Sequence, residues 1–140
     1  MSEAAAKLAP RSMTAHEVSH CVITAALKVH SALGPGLLES AYEACLVHEL
    51  RKVGLKVECQ VGLSVVYDGI RLDLGYRIDM LVNDLVVVEL KSVEEISRIH
   101  IAQVLSYIKL SKKQLGLIIN FNVLRLKDGI KRLVEGTGWK

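Results

Sequence analysis

Aromatic residues make up only 4% of the 140-residue sequence, so Leu, Val and Ile have to fill any core it forms. Cysteine is also sparse. Cys21, Cys45 and Cys59 are odd in number, widely spaced and without a C-x-x-C pair, which argues against a disulfide framework or a zinc ribbon and favours a reducing, cytoplasmic setting. No apolar run approaches the roughly 18 residues that span a membrane. The opening MSEAAAKLAPRS contains an acid and no continuous apolar core, so it makes a poor signal peptide, and residues 1–13 read as a mobile tail.

What is present is a folding composition, 51% hydrophobic and 24% charged, at a length that suits one domain. That domain is expected over 14–136, with a loose end at 137–140. The net charge of +3 is unevenly spread: residues 1–90 carry 8 Lys and Arg against 11 Asp and Glu, and residues 91–140 carry 10 against 4. A basic C-terminal part suits a polyanionic partner, and equally a solvated lysine-rich surface.

Thr14 and Glu17 have capping-box spacing, and Val18, Cys21, Val22, Ala25, Ala26, Val29 and Leu33 recur at helical intervals, predicting a helix from Ala15 to Leu33. Gly34-Pro35-Gly36 breaks it, and a second helical pattern runs from Leu38 to Gly54. KVECQ, LSVVYDG, IRLDLGYRIDMLV and LVVVELKSV, divided at Gly62, Asp68-Gly69 and Asn83-Asp84, predict three or four strands in an antiparallel meander. Ile99 to Leu110 returns to helical spacing, and QLGLIINF reads as a doubly covered parallel strand reached by a right-handed crossover. A short amphipathic helix is expected over Asp128 to Val134. The sum is an α/β domain: a central mixed sheet, antiparallel meander plus parallel crossover strand, flanked by helices.

Within VVVELKS, Glu89 and Lys91 stand at alternate positions and so share a strand face. An exposed ion pair is the ordinary explanation. Asp79 lies in the apolar IDMLV of the preceding strand, however, and paired carboxylates in an apolar sheet repel each other unless a cation joins them, hard oxygens favouring Mg²⁺ or Mn²⁺. A strict two-residue loop at Asn83-Asp84 would pair Asp79 with Val88 and turn it to the wrong face, so a metal site here requires a three-residue loop or a β-bulge. Gln103 and Tyr107, four apart on the next helix and in one stripe with His100, would lie above the end of this strand. Glu39 and Tyr42 follow Gly36, and Glu39 is a candidate third carboxylate.

GPGLLESAY carries G-x-x-E-x-x-Y as Gly36, Glu39 and Tyr42. Together with VELK, AQVLSYIKL, IINF and LKDGIKR, it resembles the GxxExxY proteins of the PD-(D/E)xK nuclease superfamily, over about Ala26 to Val134. The resemblance implies a restriction-endonuclease-like fold and a metal-dependent nuclease, with DNA a more probable substrate than RNA. By the same resemblance Asp79 is the metal-binding acid, Glu89 and Lys91 the E-x-K with Lys91 orienting the attacking water, and Gln103 and Tyr107 the Q-x-x-x-Y helix. Glu39 completes the metal shell, and His30 is a weaker candidate for that task. The backbone carbonyl of Leu90 is a further candidate ligand to Mg²⁺ or Mn²⁺. Lys109, Lys112, Lys113, Arg125, Lys131 and Arg132 are the candidate contacts to a nucleic-acid backbone, and a second copy would enlarge so small a binding surface.

Two other readings compete. His16-Glu17-Val18-Ser19-His20 is a literal H-E-x-x-H, which on a helix offers two zinc ligands and a base, with Glu39 as a possible third ligand. It stands outside any sheet that could bind a peptide, and Glu17 is already explained by the capping box. The other reading is a nuclease fold that binds nucleic acid or protein without cutting.

Overall fold

The computed structural model describes residues 12–136, so most of the expected N-terminal tail and the loose end at 137–140 lie outside the described residues. Helix α1 (Ala15–Leu33) opens on the full capping box: the Thr14 hydroxyl accepts from the Glu17 N–H and the Glu17 carboxylate accepts from the Thr14 N–H. It buries Val18, Val22, Ala25, Ala26 and Val29 of the stripe read from the sequence, while Cys21 is half-buried and Leu33 exposed. Helix α2 (Glu39–Lys52) packs beside it through Tyr42, Leu46 and Leu50. No helix among the described residues is long and apolar enough to cross a membrane.

Five strands follow in spatial order β1-β2-β3-β4-β5: β1 (Val57–Tyr67), β2 (Ile70–Val82), β3 (Val86–Lys91), β4 (Leu115–Asn120) and β5 (Ile130–Val134). Helix α3 (Arg98–Ser111) crosses from β3 to β4, the one parallel pair; the other pairs are antiparallel. The mixed sheet flanked by three helices is the expected fold class. β3 and β4 are buried on both faces, as their unbroken aliphatic runs require. Their even-numbered β3 and odd-numbered β4 residues, Val86, Val88, Leu90, Leu115, Leu117 and Ile119, pack under α1 and α2. The opposite face, with Val87 and Ile118, meets Val104, Tyr107 and Ile108 of α3. Gly116 lets α3 come close: a Cβ there would lie 2.7 Å from Ile108 Cδ1 and 3.0 Å from Val104 Cγ1.

Two expectations are corrected. Gly62 does not divide strands, for β1 runs through it. The amphipathic helix over Asp128–Val134 is instead a short 3-10 turn, Leu126–Gly129, leading into β5. Ile130 and Leu133 have helical spacing, yet β4 has a free edge whose backbone donors and acceptors the segment satisfies by pairing, Ile119 with Ile130 and Gly116 with Leu133.

Candidate active site

β2 and β3 join through three residues. Asn83 and Asp84 both have positive φ, 51° and 55°, which these two residue types tolerate, and Leu85 N–H closes the turn on the Val82 carbonyl at 3.0 Å. Leu85 is the extra residue, and pairing resumes as Val82 with Val86, Leu81 with Val87 and Met80 with Val88. The regular pairing ends there; continued one residue further, this register would set Asp79 opposite Glu89. The condition read from the sequence, a three-residue loop, is met.

Beyond Met80 and Val88 the backbone ladder gives way to the two carboxylates. Glu89 Oε1 accepts from the Asp79 N–H at 3.1 Å, and Asp79 Oδ2 accepts from the Leu90 N–H at 2.9 Å. β1 is irregular beside the same point: Gln60, in register with Asp79 between the Cys59–Met80 and Val61–Ile78 pairs, has φ 52°. An uninterrupted strand would put Ile78 on the face of Met80, but Ile78 packs under α3 with Leu63 while Met80 packs under α1 and α2. Asp79 thus marks the position where the β1–β2 ribbon exchanges its faces.

Glu89 is 4% exposed, and burial, with the Asp79 charge next in weight, pushes its carboxyl up to about 9. A divalent cation between the two acids would offset both effects. A cavity of about 200 Å³ lined by Glu39, Ser40, Glu43, Gln60, Asp79 and Leu90 gives such an ion and its water access to Asp79 and Leu90. Among the described residues no three His, Cys, Asp or Glu side chains converge on one metal position. This donor set fits Mg²⁺ or Mn²⁺, which commonly take one or two carboxylates and complete the shell with water and phosphate oxygens.

Lys91 points into a separate hydrogen-bonded chain on α3. Its ammonium donates to Gln103 Oε1 at 3.4 Å, and Gln103 Nε2 donates to the Tyr107 hydroxyl at 3.2 Å. Burial and the nearby Glu89 raise the Tyr107 phenol, and Gln103 opposes this. His100, expected in the same stripe, serves the helix start: its Nδ1 accepts from the Ser97 N–H.

The G-x-x-E-x-x-Y residues hold the approach to β3. Tyr42 is fully buried, stacks on Phe121 with ring centroids 4.3 Å apart, donates to the Gly34 carbonyl and accepts from the Leu37 N–H. Glu39 Oε1 accepts from the Ser92 N–H at 3.2 Å, and Ser92 Oγ donates to the Leu37 carbonyl at 2.8 Å. Glu39 therefore shares the cavity with Asp79 and braces the residue after Lys91, without joining Asp79 and Glu89 in a three-acid cluster. His30 bonds the Val123 carbonyl at 2.8 Å and packs on Phe121, contacts that account for its burial.

The expected cations are dispersed. Lys113 pairs with Asp84 at the turn that opens β3, the opposite end of the strand from Lys91. Lys112 caps the end of α3, and Arg132 bonds the ring of His16. Lys109, Arg125 and Lys131 are exposed. Of the H-E-x-x-H residues, His16 bonds Arg132, Glu17 serves the capping box and the His20 ring lies 6.0 Å from that of His16, while Glu39 follows the far end of a helix about 28 Å long. Among the described residues they make no zinc site.

Two residues at the site escaped the sequence reading. Asn120, 1% exposed, accepts from the Val93 and Asn122 N–H groups and donates to the Val93 carbonyl, fixing the chain just beyond Lys91. Glu43, one turn after Glu39, lines the cavity and accepts from Gln60 Nε2 at 3.2 Å. A polar residue ending the apolar run LIIN was the available signal for Asn120; Glu43 had only its i+4 spacing.

A family model described as the PD-(D/E)XK nuclease superfamily matches residues 16–133. No curated protein and no solved structure matches the chain.

Proposed function

The chain belongs to the PD-(D/E)XK nuclease superfamily, and on that footing we propose that it is a Mg²⁺- or Mn²⁺-dependent phosphodiesterase of the GxxExxY branch, cutting DNA in preference to RNA. The observation that carries this reading is the Asp79–Glu89 pair, two carboxylates facing each other across a hairpin with one of them buried. Asp79, Glu89 and the carbonyl of Leu90 would hold the ion. When bound, it polarises the scissile phosphate and lowers the pKa of its water.

The remaining roles belong to the chain's own residues. Lys91 orients the attacking water and balances charge that develops on the phosphate. Gln103, by accepting from the Lys91 ammonium, sets the direction of that side chain. The Tyr107 hydroxyl accepts from Gln103, which leaves its proton available for a phosphate oxygen. Glu39 fixes the Ser92 backbone and, with it, the end of β3. Exposed Lys109, Arg125 and Lys131 contact the nucleic-acid backbone, which gives salt sensitivity and little sequence preference.

The test is a panel of linear, nicked, branched and single-stranded DNA and of RNA, with Mg²⁺, with Mn²⁺ and with chelator, comparing wild type with Asp79→Ala and Lys91→Ala. Cleavage that needs the metal and both residues supports the proposal. Binding without cleavage on every substrate would assign a non-catalytic module, and equal cutting by the variants would remove these residues from the reaction.

A further inference from the structure

The β1–β2 ribbon runs out beyond the domain that holds its base. Residues 78–82 of β2 are buried apart from half-buried Asp79, whereas all of 70–77 are exposed. Leu63, Val65 and Tyr67 alternate along β1, and with their partners Tyr76, Leu72 and Ile70 they form one face that spans a register shift between Leu63 and Val65. Leu63 at the base is packed against the α3 cluster. Val65 is half-buried and the rest continue that apolar face outward largely uncovered by the described residues: Tyr67 is 74% exposed, Ile70 58%, Tyr76, beside Tyr107, 47% and Leu72 36%.

The opposite face is mixed: Val66 is exposed on it, while its polar groups are satisfied among themselves. Ser64 Oγ donates to Asp73 and accepts from Arg71 Nε, and Arg71 pairs in register with Val66. The ribbon is therefore amphipathic, although two strands alone have no core of their own and are marginal in water. β1 is also the outer edge of the sheet, and from Val57 to Tyr67 it carries no Lys, Arg or Pro to guard that edge. Both features describe a ribbon that is covered in the working protein.

We infer that a second copy of this chain covers it, the two apolar ribbon faces packing against each other about a twofold axis. The six face residues include no charge, so two identical faces meet without repulsion. Around them Asp68, Arg71, Asp73 and Arg77 cancel, giving a rim that is neutral overall and complementary to itself. A polyanion finds no excess positive charge here. Aromatic side chains bury about 150–250 Å² each when covered, so these exposures leave roughly 500 Å² per copy. Two faces together reach the ~1,000 Å² that marks a specific interface. Tyr76, with its ring centroid 6.4 Å from that of Tyr107, makes this interface a neighbour of the candidate active site, although the inference does not depend on what that site does.

Sedimentation velocity of the wild type from low to high micromolar concentration tests it. The expected result is a species of twice the chain's mass whose share grows with concentration. The double variant Tyr67→Ser with Ile70→Asp is expected to sediment at the chain's own mass with an unchanged circular dichroism spectrum, and Val66→Asp on the other face to leave the doubled mass intact. Independently of any variant, amide exchange over residues 65–72 of the wild type should slow as concentration rises. A wild type that stays at single mass with concentration-independent exchange overturns the inference, as does dissociation by Val66→Asp but not by the double variant. It falls equally if the wild type is monomeric and the double variant loses affinity for a labelled single-stranded oligonucleotide.

Discussion

Asp79 and Glu89 each accept a hydrogen bond from the opposite strand, Asp79 from the Leu90 N–H at 2.9 Å and Glu89 from the Asp79 N–H at 3.1 Å. The acids thus replace rungs of the backbone ladder at the point where they come closest. Structure and chemistry can be separated there by choosing the substitution.

Asp79→Asn keeps an oxygen for the Leu90 N–H, and Asp79→Ala leaves that donor unpaired at a cost of about 1–3 kcal/mol. Thermal unfolding should therefore show Asp79→Asn close to wild type and Asp79→Ala lower. Cleavage under single-turnover conditions should fall by about 10²-fold or more in both, since each removes a charge from the metal pair.

The metal-free protein should lose stability as pH rises. Burial and Asp79 lift Glu89 from its ordinary 4.5 to about 9 in the folded chain, so between those values the folded state holds a proton that the unfolded state has released. The stabilisation is complete below the ordinary value and is lost as pH rises through about 9. Melting curves with chelator should show the decline. Glu89→Gln should flatten it and raise metal-free stability at the alkaline end by about 1–3 kcal/mol. Added Mg²⁺ should reverse the slope in the wild type and have no effect on Glu89→Gln.

Lys91→Ala is expected to lower the rate by about 10²–10⁴-fold. Gln103→Ala, which frees the ammonium without removing it, should lower kcat by about 10–100-fold with KM little changed. Tyr107→Phe keeps the ring packing but removes the acceptor for Gln103 Nε2, so its effect should lie below that of Gln103→Ala. Single-turnover rates and substrate titrations across the three variants check the order.

Asn120→Ala removes the clamp on Val93 and should speed amide exchange at Val93 and Asn122, with a loss of roughly 2–4 kcal/mol for a buried group with several partners. Gly129→Ala acts from the other side. A Cβ there would lie 2.2 Å from the Asn120 carbonyl oxygen, so the backbone must move. The expected cost is about 1–3 kcal/mol or more, read as a lowered melting temperature.

Helices α1 to α3 were legible because caps, breakers and apolar stripes agree along them, as at Thr14, Glu17 and the Gly34-Pro35-Gly36 break. The β2–β3 turn was legible through parity: alternation along the strands called for a three-residue loop or a β-bulge, and a three-residue loop forms. β5 was not, because IKRLV has too few residues to separate a two-residue period from a helical one, and the free edge of β4 decided it. The face exchange at Gln60 and Asp79 was hidden as well, since a positive φ at a glutamine leaves no mark in the sequence. The pairing of Lys113 with Asp84 and of Arg132 with His16 was not legible, because charge counted along a chain says nothing about which end of a strand it reaches.

The extra residue in the Asn83–Leu85 turn leaves an alternative pairing close at hand. Slipping by one would join Val82 to Leu85 through a plain two-residue turn, and Val86, Val87 and Val88 would fill either face equally well. What distinguishes the two phases is Glu89 together with Lys91, whose side chains would then both enter the aliphatic layer beneath α1 and α2. The acid proposed to hold the metal therefore also helps, together with Lys91, to keep β3 in phase.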